Sequence, residues 1–324
     1  MTVRCCSLER SQGMALVLVL WVLTILTVMA GSFALEMRRE ASVIATIKNL
    51  AQTTALAEAG IYRAVLGLMQ KDSQQRWRAD GTVYQFLFAN AQLRVRVVDE
   101  SGRVDLNRSD EPQLLQVLTQ AATPLGWSDQ QITALADAIF DWRDEDSEPR
   151  PNGAELEAYQ KAGLRYGPRN GSFNTVEELQ WVLGMSNELY QALLPVVTVY
   201  SGQQRINLAV APREVLLTLP DATPQAVEQF LLLRQQNAEA GLPPPDFLGR
   251  PAGGQTGNGP FRVFCEARLS EDDPPGRLEA VIRLGRYHDL PLQVLEWGEA
   301  RLSRDDALFA VDNEQVIDLT TPKR

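Results

Sequence analysis

Met14–Leu35, MALVLVLWVLTILTVMAGSFAL, decides how the rest of the chain must be read. These 22 residues carry no charge. As a helix they span roughly 33 Å, enough to cross the hydrocarbon core of a bilayer. Arg4 and Arg10 precede the run, which predicts a cytoplasmic N-terminus, with everything beyond about residue 36 on the far side. A secretory signal has a shorter apolar core before its small-residue cleavage site, whereas this run is full length. The small residues Ala30, Gly31 and Ser32 define the competing reading, a signal cleaved near Ser32.

The junction Ser11-Gln12-Gly13-Met14, where a short basic leader stops at a glycine before the apolar run, resembles a type IV prepilin site. The resemblance implies cleavage between Gly13 and Met14 by a prepilin peptidase, N-methylation of Met14, and retention of the apolar helix in the inner membrane. Most members of that class carry glutamate at the fifth mature position, where this chain has Leu18. An intramembrane charge costs several kcal/mol unless paired. A subunit without that glutamate fits a position with no neighbour above it, at the tip of an assembly.

Beyond Leu35 the helical pattern continues. Val43, Ile47 and Leu50, then Ile61, Val65 and Leu68, recur at spacings of three and four and predict one long helix laying an apolar stripe on a soluble domain. TVYQFLFANAQLRVRVVDESGRVDLN reads as a β-hairpin turning at Ala89-Asn90-Ala91. From about Asp105 to Leu242 the pattern is helical, and strand-like runs return only at FRVFCEARL, RLEAVIRLG and LQVLEWGEA. The fold class is therefore α+β. The expected arrangement is a pilin-like fold, a long N-terminal transmembrane helix plus an antiparallel sheet, with a large inserted all-α domain. The expected boundaries are a leader at 1–13, a transmembrane helix half at 14–35, the periplasmic helix half and first strands at 36–102, the insert at 103–245, closing strands at 246–300 and a tail at 301–324.

Within the insert, Arg103-Val104-Asp105-Leu106 before Leu114-Leu115 is echoed by Arg205-Ile206-Asn207-Leu208 before Leu216-Leu217. Each half predicts an Asx-type turn capping a helix whose Leu pair packs inward. The halves look like degenerate helix-hairpin-helix units. The turns assigned to them, LGMSNE and LPDATP, lack the paired glycines and cations that grip a nucleic-acid backbone. The formal charge of −10, which becomes −11 once residues 1–13 are removed, and a pI near 4.8 also argue against a nucleic-acid partner.

RVDLN, DWRDEDSEPRPNGAE, SFNTVEELQWVLGM, LLPVVTVYS, INLAVAPREVLLTLP and the strands ending in LEWGEA occur in that order. Together with the prepilin site they resemble the minor pseudopilin K family of the type II secretion system, over the chain up to about residue 300. The resemblance implies a bacterial inner-membrane protein at the tip of a short periplasmic pseudopilus that supports export of folded proteins across the outer membrane. Its implied partners are the I- and J-type minor pseudopilins, the prepilin peptidase and, more remotely, the exported proteins. Alternative readings are a minor pilin of a type IV pilus or DNA-uptake system, a membrane-anchored helix-hairpin-helix nucleic-acid binder, and a signal-anchored periplasmic enzyme.

One loop carries ligand chemistry. Asp144, Asp146, Glu148, Asn152 and Glu155 occupy positions one, three, five, nine and twelve of a loop beginning at Asp144, the oxygen spacing of an EF-hand. Position six is Pro149 where an EF-hand needs Gly, so only the ligand type carries over. A solvated acidic loop is the plain alternative. Against it, Pro149, Pro151 and Gly153 stiffen the segment, and crowded carboxylates repel one another unless a cation sits among them. The resemblance implies calcium binding in this region, with Asp141 as an additional ligand, while Arg143 and Arg150 are the competing salt-bridge partners.

No enzyme is expected. His288 is the single histidine, Cys5 and Cys6 fall in the leader, and Cys265 in FRVFCEARL reads as a small core residue. No nucleophile and base are paired by motif or spacing. GGQTGNG, 253–259, lacks the strand-then-helix context of a phosphate loop.

Overall fold

The computed structural model describes residues 12–72, 75–253, 259–271, 273–287, 290–300, 307–311 and 316–320. Most of the expected leader, with Cys5 and Cys6, lies outside them, as do His288, 254–258 and much of the tail.

Helix α1, Gln12–Leu68, is continuous over 57 residues, about 86 Å of rise. From Met14 it is long and apolar enough to cross a membrane, and its apolar window is bare of protein contacts. Its C-terminal third buries Ala57, Ile61, Ala64, Val65 and Leu68 against a sheet. Val43, Ile47 and Leu50 do not join that core, contrary to the single stripe expected from their spacing, and stand 57%, 63% and 48% exposed. The reason is where the sheet ends: Gly276, the first residue of its strand, meets the helix at Thr53, so closely that a Cβ on Gly276 would lie 2.3 Å from the Thr53 carbonyl carbon. Below that level no strand among the described residues reaches the helix.

The sheet contains β1 (Asp80–Phe88), β2 (Ala91–Asp99), β5 (Phe261–Arg268), β6 (Gly276–Tyr287), β7 (Leu290–Gly298) and β8 (Val316–Asp318), in the order β7-β6-β5-β2-β1-β8. The expected hairpin is present. Ala89 and Asn90 both have positive φ, 48° and 63°, as a two-residue turn between right-twisted strands requires, and Ala91 already belongs to β2. Alternation along β2 and β5 sends Leu93, Val95, Val97, Val263, Cys265 and Ala267 toward α1, all fully buried. Cys265 is the core residue its context predicts. Gly60 of α1 sits over its sulfur, where a Cβ would come within 2.2 Å of Sγ.

The sheet is not purely antiparallel, because β8 runs parallel to β1. Residues of the expected tail therefore complete the sheet. Leu308 is 0% exposed and packs with Val83, Val98, Phe264 and Ala300 on the face away from α1.

β2 and β5 are antiparallel neighbours, yet everything from Glu100 to Pro260 lies between them in sequence. This is the insert, with its own core. Its helices are α2 (Glu111–Ala122), α3 (Asp129–Arg143), α4 (Leu156–Lys161), α5 (Asn187–Leu193), α6 (Arg213–Leu217) and α7 (Pro224–Glu239). It is not all-α: β3 (Val104–Asp105) and β4 (Val197–Thr198) form a two-stranded parallel sheet. It also extends past 245, since Phe247 packs on Phe230 at 4.8 Å between ring centres and Ala252 is buried in the same core.

The echoed motifs do form Asx turns, Asp105 Oδ1 accepting from Asn107 N at 2.8 Å and Asn207 Oδ1 from Ala209 N at 3.2 Å. They do not cap the helices. Asp110 caps α2 through Gln113 N, and α6 follows Pro212 with no side-chain cap. Leu114 and Leu216 are buried while Leu115 and Leu217 pack at the margin. LPDATP joins α6 to α7, whereas LGMSNE precedes α5 and the turn after α2 is 123–128.

A buried ionic network fastens insert to sheet. Glu100, 0% exposed, accepts from Arg262 Nε of β5 at 2.7 Å and from the Thr198 hydroxyl of β4, with Arg103 at 3.8 Å. Arg262 also pairs with Glu279 of β6 and, at 3.5 Å, with Glu296 of β7. Burial alone would push the Glu100 carboxyl up. Arg262 and Arg103, aided by the Thr198 hydroxyl, hold it below the ordinary range.

Candidate calcium site

Helix α3 opens with a capping box, Ser128 accepting from Gln131 N and the Gln131 side chain accepting from Ser128 N. Its apolar residues enter the insert core and carry Asp137 and Asp141, four residues apart, into the interior with them. Asp141 is 0% exposed. The following loop wraps onto these two carboxylates. Asp141 accepts from Arg150 N at 3.2 Å and from Ala154 N at 2.7 Å, and Asp137 accepts from Asn152 through both N and Nδ2 at 3.1 Å. Gly153 is required, because a Cβ there would stand 2.0 Å from Asp141 Oδ2.

This fixes Asp144 at the C-cap of α3 and Glu155 at the start of α4. Carboxylates at a helix C-terminus face its negative dipole end, an arrangement that favours cations. Asp144 Oδ1, Glu155 Oε1 and Asn170 Oδ1 are buried oxygens without hydrogen-bond partners. A buried acceptor left unpaired costs about 1–3 kcal/mol. Burial, then Asp146 and Asp141, push the Asp144 carboxyl above its ordinary range. Burial, then Asp141 and Asp144, do the same to Glu155, which also contacts Asn170. The Asp141 carboxyl is likewise raised, mainly by burial.

The sequence-predicted ligands divide. Asp141, Asp144 and Glu155 share one electrostatic environment, with Asp146 next to Asp144. Glu148 is exposed and contributes its backbone N–H to Asp146 Oδ1 at 2.9 Å. Asn152 is turned away, to Asp137. Among the described residues no three Asp, Glu, His or Cys side chains stand at metal-binding spacing. The orphaned oxygens are those of two carboxylates and one amide, donors suited to a hard cation. Asn170 was not singled out from sequence. It lies 15 residues beyond Glu155, in the left-handed region at φ 49°, and donates to Asp146 O and to Ser147 Oγ. An asparagine before glycine is a turn signal, not a ligand signal.

Arg150 and Arg143 both act to lower the Asp144 carboxyl against its burial, but their ion pairs and hydrogen bonds go to other groups. Arg150 pairs with Glu111 at 3.0 Å and Asp137 at 3.6 Å, and Arg143 donates to Leu106 O and, at 2.7 Å, to Ser109 O. Both guanidinium groups stack on Phe140, at 4.3 and 4.1 Å.

The model of the family described as type II secretion system (T2SS), protein K, matches residues 93–202, which run from β2 through this loop to β4. The type II secretion system protein K of Klebsiella pneumoniae is 28% identical over 266 residues, covering 75% of this chain and 81% of that protein. That of Pseudomonas aeruginosa is 26% identical, covering 68% and 71%. Over most of its length the chain is similar to type II secretion system protein K. It is a minor pseudopilin of type II secretion. Its fold is shared with a chain of the crystal structure of the GspK-GspI-GspJ complex from the enterotoxigenic Escherichia coli Type 2 Secretion System, at a TM-score of 0.53 and 17% identity. The match covers 82% of this chain and 100% of that one. The family match spans the candidate loop, so Asp141, Asp144, Glu155 and Asn170 all lie in the matched segment.

Proposed function

We propose that this pseudopilin sits at the tip of the periplasmic pseudopilus, joined to the I- and J-type minor pseudopilins, and works by binding and shape, without catalysis. The observation that carries the reading is the seating of the insert. It leaves the sheet between two neighbouring strands, β2 and β5, and is fastened to it by the Glu100–Arg262 network, while α1 projects bare over its first two-thirds. The bare helix supplies membrane anchoring and lateral contact with other subunit helices. The rigidly held insert adds bulk at the opposite end of the pilin domain, where it would cap the filament.

In this reading the prepilin peptidase cuts between Gly13 and Met14 on the cytoplasmic side of the inner membrane and Met14 is N-methylated, leaving the C-terminal domain periplasmic. Leu18 in place of glutamate suits the subunit with no neighbour above it. Calcium would be held by Asp144, Glu155 and Asn170, with Asp141 behind them and Asp146 at the rim. Its charge would satisfy the orphaned oxygens and tie the loop after α3 to α4. The partner assignment is supported by the structural neighbour, a chain crystallised in a GspK-GspI-GspJ complex.

The test is to purify the tagged full-length chain in mild detergent from membranes that contain its cognate I- and J-type subunits and the peptidase. Co-purification of both subunits, with an intact mass beginning at N-methylated Met14, is the expected result. A chain that emerges alone, or that still begins at Met1, overturns the reading.

A further inference from the structure

The face of the sheet turned away from α1 is polar along β2 and β5, and the chain's own C-terminal segment lies across it. Arg94, 3% exposed in the middle of β2, donates through Nη1 to Leu308 O at 2.9 Å and Val311 O at 2.8 Å, and through Nε to Gln85 Oε1 at 2.9 Å. Phe309 N donates to Glu266 Oε2 at 3.1 Å, and Arg277 holds the other Glu266 oxygen at 2.6 Å. The Phe309 ring lies against two guanidinium groups, Arg268 at 4.0 Å and Arg94 at 5.2 Å. Leu308 fills the apolar socket beside it. Two carbonyls, one N–H, one ring and one aliphatic side chain of a short segment are thus each matched by a specific group of the sheet. Matching backbone groups for affinity and side chains for selectivity is how peptide grooves work.

After this anchor, 316–320 runs along β1. Val83 pairs with Val316 and Gln85 with Asp318, and Leu319 N donates to Gln85 O at 2.8 Å. An unpaired edge strand is a template for another chain. The two edges of this sheet are treated differently. β1 is covered by β8, whereas β7 has no described strand beside it and carries Trp297, 40% exposed, 6.3 Å from the half-exposed Tyr62 of α1.

We propose that the outer sheet face is a peptide-binding groove whose resident ligand is the chain's own C-terminal segment, and that this segment closes the β1 edge against strand pairing with a second copy. Approach by neighbouring subunits is then confined to the β7 and α1 side. The proposal stands whether or not the chain caps a pseudopilus.

The test is hydrogen exchange of the full-length chain in detergent micelles, wild type against Phe309→Ala. Losing the ring contacts should speed exchange on the order of tenfold or more at 307–311, 316–320 and 83–85, with β2, β5 and the insert unchanged. A chain ending at Ala300 supplies the second arm. It should bind a labelled peptide of residues 305–320 at least about tenfold more tightly than the same peptide with Phe309→Ala. Light scattering should show it dimerising until the wild-type peptide is added. Unchanged exchange at 83–85 in Phe309→Ala overturns the proposal, and so does a truncated chain that binds both peptides equally or stays monomeric. If the truncated chain does not fold, the exchange comparison decides alone.

Discussion

Chelation and the Glu155→Gln substitution should move the stability of the insert in opposite directions. Without a cation, Asp144 and Glu155 each present a buried oxygen with no partner, and burial, then Asp141 and Asp144, push the Glu155 carboxyl up. A ligand that binds only the folded state stabilises it by RT ln(1 + [L]/Kd). Calcium at about 1 mM and a Kd on the order of 10 μM give about 2.7 kcal/mol. For a cooperative unit of the insert's size that is an upward shift in Tm of about 5–10 °C. Glu155→Gln removes one repelling charge and one ligand. It should raise the Tm of the chelated protein slightly and abolish most of the calcium-dependent rise. Circular dichroism melts of the full-length protein in detergent, with calcium or with chelator, read both effects. Magnesium at the same concentration should do less, because it demands tighter octahedral geometry. Melts that coincide with and without calcium, or an undiminished calcium shift in Glu155→Gln, would refute this reasoning.

The remaining predictions concern how the two bodies are held. Glu100→Gln removes the central carboxylate of the buried network. It should cost about 3 kcal/mol, at the low end for a broken buried pair because Glu279 and Glu296 still face Arg262. Denaturant titration would show it, and a loss under about 1 kcal/mol would mean that the network does not fasten the insert. Because the Glu100 carboxyl is held below its ordinary value of 4.5, its contribution is complete above that value and is lost as pH falls through the depressed one. The acid sensitivity of wild type in that range should therefore be weaker in Glu100→Gln. Gly60→Ala favours helix by up to about 1 kcal/mol yet drives a methyl into Cys265 Sγ, so a net loss of about 1–3 kcal/mol is expected. Cys265→Ala should recover most of that loss in the double variant, since its Cβ would lie 3.5 Å from the new methyl. Simple additivity would show that the two sites do not touch.

The parts of the molecule legible in sequence are those where one segment determines its own state. Met14–Leu35 has no charge to place, Ala89-Asn90 sits between two alternating runs, and the Asp105 and Asn207 turns are made by side chains bonding two residues along. What escaped depends on distant partners. Val43, Ile47 and Leu50 have the same spacing as Ile61, Val65 and Leu68, and only the level at which Gly276 meets Thr53 separates an exposed stripe from a buried one. The pairing of Val104–Asp105 with Val197–Thr198 joins segments more than ninety residues apart and too short to show a strand period. Leu308 and Phe309 look like stray apolar residues in a charged tail until Arg94 and Arg268 are seen facing them. In the candidate loop, Asp144 and Glu155, which the oxygen spacing singles out, each carry a buried oxygen without a hydrogen-bond partner. Glu148 stands exposed and Asn152 turns to Asp137 because the buried Asp141 and Asp137 hold the loop's backbone, a long-range constraint that spacing does not show.

The central claim, that this chain serves type II secretion as a pseudopilin, is tested most directly by export in its own bacterium. The gene is deleted and an exported enzyme is assayed in the culture medium and in the periplasm. The enzyme should be retained in the periplasm, and the full-length chain should restore export, while a copy lacking Glu100–Pro260 should not, even when it accumulates in the membrane. Normal export from the deletion strain, or full rescue by the copy without the insert, would contradict it.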